Sequence, residues 1–311
     1  MDFTVSLVTY RHPLAEIRAL AESVLAAKPL RFYVIDNASD ASLAASLAKE
    51  FPSVEYVAAE NRGFGAGHNI AIRRAMEAGS EIHFVVNPDI SFAAGTLEAI
   101  AGFMERSPDV GMLMPNTVGE DGRPQRNCKL VPTPFDLIFR RFLPRSWIRG
   151  RTARFEMHRA DMTKVMAVPY LCGCFLAFRV AALREVGLFD ERFFMYPEDI
   201  DITRRMYSSG RWRPVFFPGA TVVHAHAAAS YSSLRMLAIH CANMVRYFNK
   251  WGWFRDPERR RINREVERVF GLIERQSRPR GCLSIGTARK SSTIFTREVG
   301  RSAAKGACRM A

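Results

Sequence analysis

The sequence predicts an α/β fold, an open and mostly parallel sheet flanked by helices, and two observations carry that prediction. Strand and helix patterns alternate from the first residues, and each early strand stops at a short polar run. Phe3–Val8 reads as the first strand. His12–Ala27 follows as a helix, because Leu14, Ile17, Ala21, Val24 and Leu25 recur on one face. Phe32–Ile35 is the next strand, ending in Asp36-Asn-Ala-Ser39, and a helix over Ala41–Phe51 leads to a third strand at Val54–Val57. A glycine-rich turn then opens a helix that runs through about Ala78, and Ile82–Val86 is the fourth strand. In such sheets ligands bind outside the carboxyl ends of the strands. Thr9, Tyr10, Asp36, Asn37, the 61–69 turn and Asn87-Pro-Asp89 are therefore the candidate binding positions.

The second half is read in the same way. Ile200, Ile202, Thr203, Met206 and Tyr207 share one face of a helix ending near Gly210. Trp212–Phe217, continued by Pro218 to Val223, is strand-like; Leu234–Tyr247 is helical, and a charged helix runs from Pro257 to about Gln276. From Ser277 onward the chain is rich in Arg, Ser, Gly and Ala without apolar periodicity, which predicts disorder over 277–311. The expected organisation is one domain over 1–253 in two halves, 1–115 and 116–253, then the charged helix 254–276 and the tail.

With 311 residues, 48% hydrophobic and 24% charged, the chain has the composition of an ordinary globular protein able to build a substantial core. No apolar run approaches the ~20 residues that span a bilayer, and the start goes straight into a strand pattern, so a cytoplasmic protein is expected. The six cysteines form no C-x-x-C pair and no metal-site spacing, which points to reduced thiols, and Cys172-Gly-Cys174 reads as packing.

The net charge of +14 is concentrated in two segments. Residues 255–311 hold 15 Lys/Arg against 6 Asp/Glu, and residues 123–164 hold 11 against 3. The second segment interleaves Phe135, Leu137, Ile138, Phe139, Phe142, Trp147 and Ile148 with Arg140, Arg141, Arg145 and Arg149, the mixture expected at an anionic membrane surface. A solvated charged loop is the plainer alternative. Nucleic acid is not expected as a partner, since no helix-turn-helix, zinc finger or RNP-like signature accompanies the charge.

The most informative stretch is Gly187-Leu-Phe-Asp-Glu-Arg-Phe-Phe-Met-Tyr-Pro-Glu-Asp-Ile-Asp201. It places Glu198, Asp199 and Asp201 at a helix N-terminus, where free backbone N–H groups favour carboxylates, so simple capping is one reading. The other is a general base. Phe189, Phe193, Phe194, Met195 and Tyr196 would wall the acids with apolar surface, and desolvation with mutual repulsion raises the proton affinity of one of them. The turn Asn61-Arg-Gly-Phe-Gly-Ala-Gly-His-Asn69 is not a dinucleotide fingerprint, because His68 stands where the third glycine belongs. Asp89 offers one hard oxygen ligand to a divalent cation; His224, just past a strand, and less strongly His226 are candidates to join it.

Thr9-Tyr10, Asp36-Asn-Ala-Ser39, Asn61 to Asn69, Asn87-Pro-Asp-Ile90, Cys172-Gly-Cys-Phe-Leu-Ala-Phe-Arg179, the Glu-Asp-Ile-Asp block and Pro218 to His224 occur in a telling order. It resembles that of family 2 glycosyltransferases with the GT-A fold, closest to a rhamnosyltransferase-like branch that builds cell-surface polysaccharide. The likeness covers about residues 3–250 and extends to Tyr247-Phe-Asn-Lys-Trp-Gly252. It implies a nucleotide-sugar half over 1–115 and an acceptor half over 116–253. Thr9, Tyr10, Asp36, Asn37, Gly65, Asn69 and Asn87 would surround the nucleotide sugar, and Asp89 with His224 would hold Mg2+ or Mn2+ at its diphosphate. Asp199 would be the catalytic base with Glu198 beside it, and Cys172, Gly173, Cys174 and Asp201 would lie on the acceptor side. The family's usual D-x-D is Asn87-Pro88-Asp89 here, which leaves one carboxylate.

The resemblance implies inverting transfer of a sugar, L-rhamnose from dTDP-rhamnose, to a polyprenyl-diphosphate-linked saccharide at the inner face of the cell membrane. A UDP-hexose donor is the runner-up. A nucleotidyltransferase would share the architecture without needing the acid block, and a non-catalytic polysaccharide-assembly subunit would leave every donor intact.

Overall fold

A computed structural model describes residues 1–138, 140, 143–225 and 234–271, and residues 1–274 form one compact unit. His226, residues 272–276 of the charged helix and the 277–311 tail lie outside the described residues, as do Phe139, Arg141 and Phe142 of the basic segment.

The elements in chain order are β1 (Phe3–Thr9), α1 (Leu14–Ala26), β2 (Arg31–Asp36), α2 (Ala41–Glu50), β3 (Val54–Ala58), α3 (Phe64–Glu77) and β4 (Ile82–Val86). They continue with β5 (Ile90–Phe92), α4 (Thr96–Arg106), β6 (Val110–Val118), β7 (Cys128–Lys129), α5 (Pro134–Leu137), α6 (Arg145–Phe155), β8 (Met166–Ala167) and β9 (Tyr170–Leu171). The last are β10 (Phe175–Arg179), α7 (Val180–Val186), α8 (Glu198–Ser208), β11 (Arg213–His224), α9 (Leu234–Trp251) and α10 (Pro257–Val269). Through β4 these agree with the expected elements to within one or two residues. The first helix starts two residues late because Pro13, with extended backbone, serves as its N-cap.

The main sheet has the order β3-β2-β1-β4-β10-β6-β11-β5, with β8 added to β11. The four strands foreseen in the sequence pair in parallel, Val5 lying opposite Phe32 on one side and Phe84 on the other. Beyond β4 the sheet is mixed: β10 runs antiparallel between β4 and β6, and β11 returns parallel to β6. The register of β11 slips between Phe217 and Thr221, where Pro218 removes a donor from the ladder.

The pleat decides the two cores. Val5, Leu7, Ile82, Phe84 and Val86 face Leu14, Ile17 and Leu20 of α1, Leu43 and Leu47 of α2, and Leu97 and Ile100 of α4. Val85, Met112, Leu176 and Phe178 face the opposite way, toward Ile202 and Met206 of α8, Tyr247 and Phe248 of α9, and Ile262 and Val266 of α10. The charged helix therefore packs into the same core as the sheet. Its attachment is electrostatic as well: Arg204 of α8, 1% exposed, donates to both oxygens of Asp256 at 2.7 and 2.8 Å and lies over the Trp251 ring.

On β1, Thr4 and Ser6 alternate with the apolar residues and are buried. Ser6 Oγ is 2.8 Å from His68 Nδ1 and 2.8 Å from His83 Nε2, while Thr4 Oγ1 is 2.8 Å from His83 Nδ1. Burial holds both imidazoles neutral, pushing His83 down to about 3 and His68 well below its ordinary value. His68, which broke the fingerprint, is thus a core residue of α3.

Candidate active site

The acids enter the site because α8 begins where the preceding loop is gripped from both sides. The glycine turn does much of the gripping. Phe64 N–H donates to Phe194 O at 3.0 Å, and a Cβ on Gly63, which has φ of 103°, would stand 2.1 Å from that same oxygen. Gly65 lets α3 close on the loop, since its Cβ would meet Phe189 Cβ at 2.8 Å and Glu198 Cβ at 3.6 Å. Asn69 pins the loop from α3: its Nδ2 donates to Phe189 O at 2.9 Å and to Glu191 Oε1 at 3.0 Å, and its Oδ1 accepts from Phe189 N at 3.1 Å. From the other side Asn243 of α9 donates to Met195 O at 3.0 Å. Tyr196 holds φ of 92°, a conformation worth about 1–3 kcal/mol of strain that surrounding contacts must maintain, and the helix starts two residues later.

Asp199, 8% exposed, is oriented by two backbone donors. Ile200 N–H donates to Oδ1 at 2.7 Å and Gly173 N–H to Oδ2 at 3.0 Å. Burial pushes the Asp199 carboxyl above the ordinary range, opposed by those donors and by nearby Lys129. Burial and then the Asp199 charge push Glu198 up as well, and no donor answers its buried Oε2. The pair therefore retains a proton where free carboxylates have lost theirs, and Asp199 is the better-solvated member. A carboxylate so placed is able to accept a proton near neutral pH.

Asp201 turns away. Two residues along a helix rotate a side chain by about 200°, and its carboxylate accepts from Trp251 Nε1 at 2.7 Å, Lys250 Nζ at 2.6 Å and Arg205 Nε at 2.8 Å. Fully buried, Asp201 ties α8 to α9. Gly173 and its neighbours do border Asp199; Cys174 is buried, and Cys172 lies near Lys129, whose ammonium is 5.3 Å from the Tyr170 ring centroid.

A second corner lies beside the first. Asn87 N–H donates to Cys174 O at 3.0 Å, so the end of β4 abuts the residue after Gly173. Two residues on, Asp89 Oδ2 stands 3.2 Å from His224 Nε2, and Ala225 N–H donates to Asp89 O at 3.0 Å. Gln125 fixes the ring: its Oε1 is 2.9 Å from His224 Nδ1, and its Nε2 donates to His224 O at 3.0 Å. An amide oxygen only accepts, so Nδ1 carries a proton toward Gln125 and the ring is held with Nε2 facing Asp89. Asn87 Oδ1 and Asp89 Oδ1 are buried with no hydrogen-bond partner. These donors suit a hard divalent cation. Among the described residues no group of three His, Cys, Asp or Glu is placed to surround such an ion.

The third corner is at the ends of β1 and β2. Asn37 N–H donates to Thr9 O at 2.9 Å, and Thr9, Asp36 and Asn37 are buried beside the 45%-exposed Tyr10. Asp36 shapes its own turn, accepting from Ala38 N at 2.9 Å, Asp40 N at 2.6 Å and Tyr56 Oη at 2.9 Å. Asn37 Oδ1 is buried and unpartnered. Gln125 and Lys129 escaped the sequence reading, for one lies 99 positions from the histidine it orients and the other is one cation among many in its segment.

The chain is similar to several known proteins. A family model for glycosyl transferase family 2 matches residues 4–187. The chain is 28% identical over 269 residues to N-acetylglucosaminyl-diphospho-decaprenol L-rhamnosyltransferase of Mycobacterium tuberculosis, covering 82% of this chain and 87% of the relative. Among solved structures it is similar to the mannosyltransferase PcManGT of Pyrobaculum calidifontis in complex with GDP-Man and Mn2+, with a TM-score of 0.53 and 19% identity over 86% of this chain and 69% of that one. It is also similar to GalNAc-T7 with UDP, GalNAc and Mn2+, with a TM-score of 0.53 and 14% identity over 73% of this chain, spanning 44% of that one. These likenesses show the expected GT-A type of fold. With the family model covering more than half its length, the chain belongs to glycosyltransferase family 2.

Proposed function

We propose that the protein transfers L-rhamnose, with inversion, from dTDP-rhamnose to a hydroxyl of a lipid-linked saccharide in cell-surface polysaccharide synthesis. The observation that carries this reading is a set of four buried oxygens without hydrogen-bond partners, on Asn37 just past β2, Asn87 and Asp89 just past β4, and Glu198 at the start of α8. Buried polar atoms are seldom left unpaired, and a donor with its acceptor supplies the missing partners. The choice of sugar and of a diphosphate-linked lipid acceptor is supported by the mycobacterial relative, which is similar over most of both chains.

Thr9, Tyr10, Asp36 and Asn37 border the nucleoside, and Asn87, Asp89 and His224 face the diphosphate. Mg2+ or Mn2+ held by Asp89 and His224 would neutralise negative charge on the leaving diphosphate. Gly65 and Asn69 border the donor on the α3 side and also hold the loop that leads to Asp199. Asp199, fixed by the N–H groups of Gly173 and Ile200, takes the proton of the acceptor hydroxyl as that oxygen attacks the anomeric carbon. Cys172, Gly173 and Cys174 line the acceptor's approach. The acceptor would be met at an anionic membrane surface, which the exposed Trp147 and the arginines of α6 suit.

Incubation with a panel of nucleotide sugars and a diphosphate-linked N-acetylglucosaminyl lipid tests the reading. Release of dTDP with a rhamnosylated lipid is expected. Release of UDP from a UDP-hexose would replace the donor, and release of pyrophosphate would replace the reaction class.

A further inference from the structure

A cavity of about 530 Å³ opens between the Thr133–Phe135 turn, α6 and α10, and none of its lining residues belongs to the candidate active site. Its wall carries Arg151, Arg154, Arg259, Arg260 and Arg264. We propose that this cavity holds the phosphoryl head of an anionic phospholipid and so seats the enzyme on the membrane. The inference rests on the membrane-surface part of the proposed function and not on its chemistry.

Three of the guanidiniums are held in place from behind. Arg151 donates to Asp136 Oδ1 at 3.0 Å and Thr133 Oγ1 at 2.8 Å, and lies over the Phe135 ring at 4.2 Å. Arg154 is paired with the buried Glu267. Arg259, 5% exposed, donates to the carbonyls of Pro132 at 3.4 Å and Trp253 at 3.2 Å. Its nearest carboxylate, Asp256 at 3.8 Å, is already bound through both oxygens by Arg204. Arg260 and Arg264 stand one turn apart on α10 and are exposed. Five cations thus meet the direct pairing of two buried carboxylates, Asp136 and Glu267, and the excess faces the cavity.

Planar guanidiniums in fixed positions match phosphate oxygens two at a time. The volume is that of a small-ligand site. A membrane source is favoured by the surroundings. Phe254, 72% exposed, lines the cavity, and Trp147, 79% exposed, lies on the face of α6 that carries Arg151 and Arg154 at four- and seven-residue spacing. Exposed aromatic residues beside cations are the pattern of a membrane–water interface.

The test uses the full chain in flotation with vesicles of phosphatidylcholine and phosphatidylglycerol, and of phosphatidylcholine alone. Two variants are compared: Arg260→Gln/Arg264→Gln, and a control of equal charge loss far from the cavity, Lys28→Gln/Lys49→Gln. All four positions are exposed, and unchanged melting will show that the variants fold. Binding to the anionic vesicles is expected to weaken roughly tenfold or more in the arginine variant and little in the lysine variant. Equal weakening in both would mean diffuse attraction and overturn the cavity. Absence of flotation by the unaltered chain would overturn the cavity together with the membrane surface. Stabilisation by inorganic diphosphate that the arginine variant loses, without flotation, would assign the cavity to a free phosphoryl ligand and overturn the lipid. Glycosyl transfer is scored separately with a soluble acceptor, so rejection of the cavity leaves the transferase reading standing.

Discussion

Gly173 and Asp199, 26 positions apart in sequence, are joined by one hydrogen bond, the glycine N–H donating to Asp199 Oδ2 at 3.0 Å. A Cβ at position 173 would stand 3.3 Å from Asp199 Cβ, so Asp199 would have to give by a few tenths of an ångström. The candidate base is thus aimed by the backbone N–H of Gly173.

Gly173→Ala is expected to push the carboxylate off its aim while leaving the core intact. Turnover should fall roughly tenfold or more, as small misplacements of a reacting group do. The melting temperature should stay within a few degrees, measured beside steady-state kinetics.

Glu198→Gln separates the two acids. The folded protein keeps a proton on this pair that the unfolded chain releases once pH passes the ordinary glutamate value, so stability falls as pH rises from there until the folded pair ionises. The amide removes that proton and the like charge beside Asp199. The pH-dependent loss of stability should shrink, and the acidic limb of the rate profile should move down by roughly one pH unit. Melts and turnover across a pH series read both.

Gln125→Leu leaves His224 and Asp89 in place but frees the imidazole to change tautomer. Metal affinity is expected to drop about 10- to 100-fold, as for other groups that orient a ligand histidine. Mn2+ titration followed by electron paramagnetic resonance measures it without turnover.

Arg204→Met leaves Asp256 buried with only the more distant Arg259 to answer it. The expected cost is about 3–5 kcal/mol, seen as a lowered denaturation midpoint. Adding Asp256→Asn should restore part of it, since the amide oxygen can still accept from Arg259 N–H at the start of α10.

The sequence announced what local pattern controls. Strands β1 to β4 could be read because apolar alternation and polar strand ends are local, and the acid block could be read because three carboxylates after an aromatic run are conspicuous. What escaped is set by distant partners. Nothing in Phe175–Arg179 says that it inserts antiparallel between β4 and β6. Asp199 and Asp201 look equivalent in sequence, yet the helical turn sends one to the site and the other to Trp251 and Lys250. Asn69 and Gly65 also hold a loop more than 100 positions away, a contact no local pattern announces.

In the proposed reaction Asp199 takes the acceptor proton. The direct measurement is turnover of Asp199→Asn with donor and acceptor saturating, alongside calorimetric binding of the donor to the same protein. A fall of about 10²–10⁴ in kcat with donor affinity within a few-fold of the unaltered enzyme is expected. Turnover within a few-fold of the unaltered enzyme would rule out Asp199 as the base.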